Sequence, residues 1–269
     1  MMVRPLEAAL LGIVEGATEF LPVSSTGHLI LASRALRLRG EAIDTFDVVI
    51  QAGSLAAVAA LYRRRLLGLW RGLWGREAAG RRLLACLVVS VLPSAAVGLL
   101  LHRVIKARLF GVWPVTVALA LGGLLMIGIE AWRRRAGSGG AKTVEAITLR
   151  EAFLIGCAQC LALWPGTSRA MVTIVAGLLC GLSTTSAAEY SFLLAMPTLG
   201  LATLFDAAVG GRALFQEVGG WSLAAGFVAA ALTAAVAIRG LLQALVRWGL
   251  APFGWYRLGL AAAVWWAYS

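Results

Sequence analysis

The chain has 269 residues, of which 60% are apolar and only 14% charged, with a mean hydropathy of +0.85. A soluble domain needs about a quarter of its residues charged to solvate its surface, so this composition excludes one. The net charge of +11 resides in arginines clustered between apolar runs, a distribution that orients a membrane protein and does not build a nucleic-acid groove.

The first apolar region, 5–33, is broken near its middle by Pro22 and carries Glu15, Glu19 and His28. A straight lipid-facing span would leave these groups unsolvated at a cost of several kcal/mol each, and the region lacks the small-residue cleavage site of a signal peptide. Plain apolar segments follow at about 44–62, 83–101 and 112–132. A second broken region, 149–181, is interrupted by Pro165, and after it come further spans at about 188–208, 221–239 and 251–268. The last is flanked by Trp255 and Tyr256 at one end and by Trp265, Trp266 and Tyr268 at the other, as aromatic belts are at the two bilayer interfaces. Broken helices at membrane depth persist only where they face protein or a wet cavity. Both broken regions are therefore predicted to be re-entrant hairpins of two half-helices. Cys86, Cys157, Cys160 and Cys180 lie in apolar runs without metal-ligand spacing and read as packing residues.

The two hairpins are related. Glu7 to Gly12 aligns with Glu151 to Gly156 at an offset of 144, which also pairs Glu15 with Gln159 and Phe46 with Tyr190. At 143, after one gap, Pro22 pairs with Pro165 and Ser25 with Ser168. The predicted fold is an all-α polytopic membrane protein, one domain over 1–269, with repeat 1 at about 5–132 and repeat 2 at about 149–268. Each repeat holds a re-entrant hairpin and three transmembrane helices. Three crossings is odd, so the second repeat is expected to be inverted, an arrangement that brings broken helices together near the midplane. The arginine-rich loops 63–82 and 133–150 are expected in the cytoplasm. The opposite side, with Arg4, Arg34, Arg37, Arg39, Arg103, Lys106, Arg108 and Arg212, would face outward together with both termini and the mouth of the first hairpin.

Chemistry is concentrated at the two breaks. Glu15 and Glu19, four residues apart, share a helix face. Such a pair persists by binding a divalent cation, or by one carboxylate serving as a base while the other stays protonated; a pair satisfied by neighbouring helices is the plainer alternative. After Pro22, the run Ser24, Ser25, Thr26, Gly27, His28 opens a half-helix. Free N–H groups and hydroxyls there make an anion cradle, although the same residues also serve as an ordinary cap. His28 lies one turn from Ser25 and is placed to exchange a proton with it or with a bound phosphate, whereas His102 beside Arg103 reads as packing. In the second hairpin Gly166, Thr167, Ser168 and Arg169 repeat the pattern, with Gly166 admitting close backbone approach. Arg169 is the only basic residue between Glu151 and Glu189, so it needs a phosphate or a carboxylate such as Glu15 or Glu19. Two carboxylates, a hydroxyl and histidine cradle and an arginine around one anion suit phosphoryl transfer.

The runs Glu15 to His28 and Pro165 to Arg169 closely resemble the undecaprenyl pyrophosphate phosphatase family of the bacitracin-resistance type, and the likeness continues over Phe46 to Gly53 and Thr173 to Pro197. The resemblance implies hydrolysis of undecaprenyl pyrophosphate to the monophosphate, recycling the carrier lipid for peptidoglycan synthesis and giving bacitracin resistance. It implies Glu15 and Glu19 as proton-handling residues or ligands of a divalent cation (Mg2+ or Ca2+), Ser25 as nucleophile, His28 as supporting acid and base, and Arg169 as phosphate clamp. Ser24, Thr26, Gly27, Gly166, Thr167, Ser168 and Thr173 would line the substrate. The expected partners are a polyprenyl diphosphate lipid and the bilayer, with no nucleic acid and with a homodimer left open. The expected location is the bacterial inner membrane, with the active site opening to the periplasmic face. One departure stands out: Ala170 replaces the serine that usually follows the Ser-Arg pair. The competing class is a lipid flippase or transporter, which inverted repeats with broken helices also fit; a purely structural membrane protein leaves the buried charges without a purpose.

Overall fold

A computed structural model describes residues 3–38, 40–109, 111–137 and 140–268; the side chains at 41, 42, 44, 102, 106, 107, 209–213 and 216 are not described. The expectations for Arg39 and for the side chains of His102, Lys106 and Arg212 therefore lie outside the described residues. Eleven α-helices run through them: α1 (Pro5–Thr18), α2 (Ser25–Ala35), α3 (Glu41–Leu61), α4 (Arg63–Leu73), α5 (Ala78–Leu109), α6 (Val112–Arg135), α7 (Leu149–Gln159), α8 (Arg169–Leu179), α9 (Thr184–Glu217), α10 (Gly220–Trp248) and α11 (Ala251–Tyr268). Short 3-10 turns precede and follow α7, at Val144–Ala146 and Cys160–Leu163.

Both broken regions form two short helices each, α1 with α2 and α7 with α8, as the prolines and embedded charges require. Among the described residues four helices are long and apolar enough to cross a membrane: Ala78–Leu101, Val112–Arg135, Thr184–Ala208 and Gly220–Trp248. α3 belongs to a fifth candidate, in which Thr45–Leu61 and Arg63–Leu73 are bent by 85°. The predicted span 251–268 is helical as α11. The protein is an all-helical, multi-pass membrane protein.

Two expectations for the connections are corrected. The segment 63–82 is not a loop: Arg63–Leu73 is a helix, because its leucines and tryptophan recur at helical spacing among the arginines. Arg103 and Arg108 likewise stand on the last turns of α5, and α9 runs on to Glu217.

The two broken regions share several details of packing. Glu7 closes the start of α1 by accepting from Arg4 N at 2.9 Å, and Glu151 closes α7 by accepting from Thr148 N at 3.0 Å. Gly12 lies so close to α10 that an added Cβ would meet Gly226 O at 2.2 Å, and one at Gly156 would meet Ser90 O of α5 at 2.5 Å. Small residues let helix backbones approach where no hydrophobic force between helices exists. The aromatic partners repeat as well: Phe46 abuts Gly226, and Tyr190 Oη bonds Ser90 Oγ at 2.7 Å. The hairpin turns correct one detail of the alignment. Ser24 (φ 72°) caps α2 and Ser168 (φ 73°) caps α8, so Ser24, and not Ser25, is the counterpart of Ser168. The offset is 144 on both sides of the break, and Ser25 then corresponds to Arg169.

Candidate active site

The breaks bring the two hairpins together at one place. Glu19 follows the last turn of α1, and its two oxygens are used differently. Oε2 accepts from Ser25 Oγ at 2.7 Å, and Oε1 accepts from Arg169 Nη2 at 3.0 Å. Both members of the ion pair are more than nine-tenths buried, so the interaction is little screened by solvent. Arg169 is held from behind by α9, where Nη1 donates to Ser191 O at 2.9 Å and to Ser191 Oγ at 3.2 Å. Its guanidinium lies 5.5 Å from the ring centroid of Phe20. Thr173 completes this support, donating to Arg169 O at 2.8 Å and bonding Ser191 Oγ at 2.7 Å. The Nε of Arg169 is buried with no hydrogen-bond partner among the described residues.

Glu15 is fully buried one turn before Glu19, and neither of its oxygens has a hydrogen-bond partner among the described residues. The charge of Asp47, on α3, reaches it as well as that of Glu19. A carboxylate in this position needs a proton or a cation. No group of three or more His, Cys, Asp or Glu side chains among the described residues is arranged to hold a metal by itself. The orphaned oxygens of Glu15 nevertheless suit a divalent cation that also takes ligands from a bound phosphate, since Mg2+ commonly binds through one or two carboxylates plus substrate oxygens.

His28 is directed elsewhere than its spacing suggests. Its Nδ1 lies 2.8 Å from Ser24 O, and a carbonyl can only accept, so Nδ1 carries the proton. Nε2 lies 2.7 Å from Tyr256 Oη, and the two rings stack with centroids 5.6 Å apart. Ser25 therefore has Glu19, not His28, as its immediate proton partner, while His28 presents Nε2 and Tyr256 beside the cradle. Thr26 is exposed at the start of α2, and Gly27 is buried against Leu119.

Both cap serines have positive φ, although they are not glycines. Such backbone costs about 1–3 kcal/mol and persists where the surrounding structure enforces it, often at functional sites. Ser24 Oγ accepts from Gly27 N at 3.4 Å and Ser168 Oγ from Met171 N at 3.2 Å. Gly166 (φ 94°) serves the turn and the packing, since a Cβ there would meet Val115 O at 2.6 Å. Thr167 is buried, and its N–H bonds Trp164 O at 3.1 Å. Ala170 has no exposed surface and belongs to the apolar core.

The main residue missed in the sequence is Arg257 of α11. It is completely buried and donates to five backbone carbonyls. Pro22 O (3.3 Å) belongs to the first hairpin, Gly166 O (2.8 Å) and Thr167 O (2.9 Å) to the second, and Ala118 O (2.9 Å) and Leu119 O (3.2 Å) to α6. One guanidinium thus fixes the two turns relative to each other. The signal was present: Arg257 is a single charge in an apolar segment, the same argument that singled out Arg169. Ser191, Tyr256 and Asp47 were also missed, because a serine in an apolar helix, an interface tyrosine and an aspartate near a helix start each have commoner uses.

Comparison with known proteins identifies the family. The model of the family described as bacitracin resistance protein BacA matches residues 8–263. A protein of Sorangium cellulosum named undecaprenyl-diphosphatase is 52% identical over 261 residues, covering 97% of this chain and 85% of that protein. Proteins of the same name from Nitrosomonas europaea (44% identical, covering 96% of this chain and 93% of the relative) and Solidesulfovibrio magneticus (43% identical, 98% of each) are similar over equally long stretches. The likeness runs through both hairpins and all the helices between them, and the chain belongs to the bacitracin resistance protein BacA family.

Proposed function

We propose that this protein hydrolyses undecaprenyl diphosphate to undecaprenyl phosphate and inorganic phosphate where the two hairpins meet. The observation that carries the reading is the continuous chain from Ser25 through Glu19 to Arg169, which links a hydroxyl, a carboxylate and a phosphate-matching guanidinium across both repeats. The names borne by the relatives supply the substrate class.

In this mechanism Ser25 Oγ attacks the terminal phosphorus of the diphosphate, and its proton passes to Glu19 Oε2. The bond from that phosphorus to the bridging oxygen breaks, releasing the lipid monophosphate, and water then cleaves the phosphoserine to restore Ser25 and release phosphate. Arg169 moves from Glu19 toward the phosphoryl oxygens, for which its fork is suited. His28, with its acceptor nitrogen beside the cradle, assists proton transfer at the second step. A divalent cation (Mg2+ or Ca2+) would be held by Glu15 and Glu19 and would neutralise diphosphate charge.

Purified protein is expected to release phosphate from a long-chain prenyl diphosphate, and a chelator should suppress the release. Glu15→Gln and Glu19→Gln should each lower turnover at least tenfold, equivalent to about 1.4 kcal/mol of barrier. A variant with a near-normal rate would remove that carboxylate from the mechanism. Chelator-insensitive turnover would remove the cation and leave Glu15 as a protonated group.

The same proposal places the protein in the bacterial inner membrane, with the repeats inverted, the hairpin mouth of α1 and α2 outward, and 63–82 and 133–150 in the cytoplasm. In a background lacking the four native cysteines, Ala35→Cys is expected to react with an impermeant thiol reagent in intact cells. Arg76→Cys and Ala136→Cys should react only after permeabilisation. Labelling of Ala136→Cys from outside would reverse the orientation.

A further inference from the structure

Seven arginines and one glutamate lie between residues 63 and 82, and the structure gives them different tasks. Arg65 is consumed internally: it pairs with Glu189 of α9 at 2.7 Å and with Glu145 of the 3-10 turn. Together with the burial of Leu66 and Leu69 against the core, this pins one side of α4. Its neighbour α5 pins another, since Cβ atoms added at Gly72 and Gly80 would meet Arg81 N at 2.2 Å and Gly68 O at 2.0 Å. α4 is thus held at 85° to α3 with its remaining surface free.

That surface mixes two kinds of side chain. Leu67, Trp70, Leu73 and Trp74 are all more than half exposed, with Trp70 and Trp74 in edge-on contact at 5.8 Å. Between them stand Arg63, Arg64 and Arg71, exposed and without a carboxylate partner among the described residues. Water alone is a poor partner for two clustered tryptophans, and a purely apolar environment is a poor one for three guanidiniums. A helix of this pattern belongs in the plane of a bilayer interface. Next to it, Ala78, Arg81, Arg82, Ala85, Thr148 and Leu149 line an open cavity of about 610 Å³. Arg81 forms no ion pair with the described residues, and Arg82 spends one N–H on Ile147 O at 3.3 Å. Glu151 is already engaged, capping α7 and binding Lys142 at 2.5 Å, and Glu77 lies beside Gly68 of α4.

We infer that α4 and the adjoining Arg81/Arg82 cavity form a docking surface for an anionic phospholipid, whose phosphate sits in the cavity while Trp70 and Trp74 lie among the neighbouring headgroups. Charge complementarity selects this occupant, because each arginine near an anionic lipid surface adds to the attraction and zwitterionic lipid offers no net charge. The surface is separate from the site between the hairpins, so it stands whether or not that site performs the proposed hydrolysis.

Full-length protein in detergent, titrated with phosphatidylglycerol or phosphatidylcholine and read by native mass spectrometry, tests it. Phosphatidylglycerol is expected to be retained at least about tenfold better. The double variant R81Q/R82Q should lose most of that preference, bringing the two lipids to within about threefold, whereas Arg108→Gln, at the far end of α5, should keep it. Raising the salt should weaken retention by the wild-type protein, a check that needs no variant. Equal retention of the two lipids by the wild type, or undiminished selectivity in R81Q/R82Q, would overturn the proposal.

Discussion

Arg169→Ala is expected to reduce phosphate release at least about a thousandfold, equivalent to about 4 kcal/mol of lost transition-state stabilisation. Two effects combine. Among the described residues the guanidinium is the one basic group paired with Glu19, at 3.0 Å in a site where both partners are buried, and removing one member of a buried pair typically costs about 3–5 kcal/mol, roughly the cost of an unpaired charge. Glu19 also loses the partner that holds its carboxylate in place to accept the proton of Ser25. The phosphoryl group also loses its clamp, and no other basic residue of this hairpin can replace it. Arg169→Lys keeps the charge but not the fork, so it should recover only part of the rate. Single-turnover measurements on variants that retain the wild-type melting profile decide the matter. A folded Arg169→Ala protein hydrolysing within tenfold of wild type would sink the proposed site as a whole.

Much of the site was legible because charge in an apolar chain is expensive and therefore rare. Glu15, Glu19 and Arg169 stand out against their surroundings, and the structure places Glu19 and Arg169 in contact, the alternative that a lone arginine always keeps open. The breaks were legible from Pro22 and Pro165. What stayed hidden depends on three-dimensional detail. The positive φ of Ser24 and Ser168 leaves no mark in composition, so aligning the prolines shifted the serines by one. α4 was hidden because a run of arginines reads as solvent-exposed loop until its leucines are seen to seat on the core. The spacing of Ser25 and His28 suggested a direct partnership, but the cap geometry turns His28 toward Ser24 O and Tyr256 and gives Ser25 to Glu19. Periodicity says which residues share a helix face, not which carbonyl a neighbouring turn presents to them.

Arg257→Met should produce the second large effect, and by a different route. Methionine follows the aliphatic stem of arginine but ends near the position of Nε and donates nothing, so the substitution withdraws five N–H donors while filling the inner part of the space. Ala118 O and Leu119 O lie within α6 and keep helical partners; Pro22 O, Gly166 O and Thr167 O belong to turns and depend on the guanidinium. Each buried acceptor left without a donor costs about 1–3 kcal/mol, partly offset by no longer burying a charge. A loss of about 3–5 kcal/mol of stability is the expected balance, visible as a lower melting temperature. The two turns also lose their common anchor, and displacements of about 1 Å at a reacting centre can cost a hundredfold in rate. Arg257 hydrogen-bonds backbone carbonyls of the two turns and of α6 and neither Ser25 nor Glu19, so it acts by position, and turnover should fall at least about a hundredfold. Arg257→Lys, able to serve one or two of the three turn carbonyls, should lie between the wild type and Arg257→Met in both stability and rate. If Arg257→Met melts with the wild type and turns over normally, the hairpins are held in register by their own packing, and the guanidinium between them is not what positions the site.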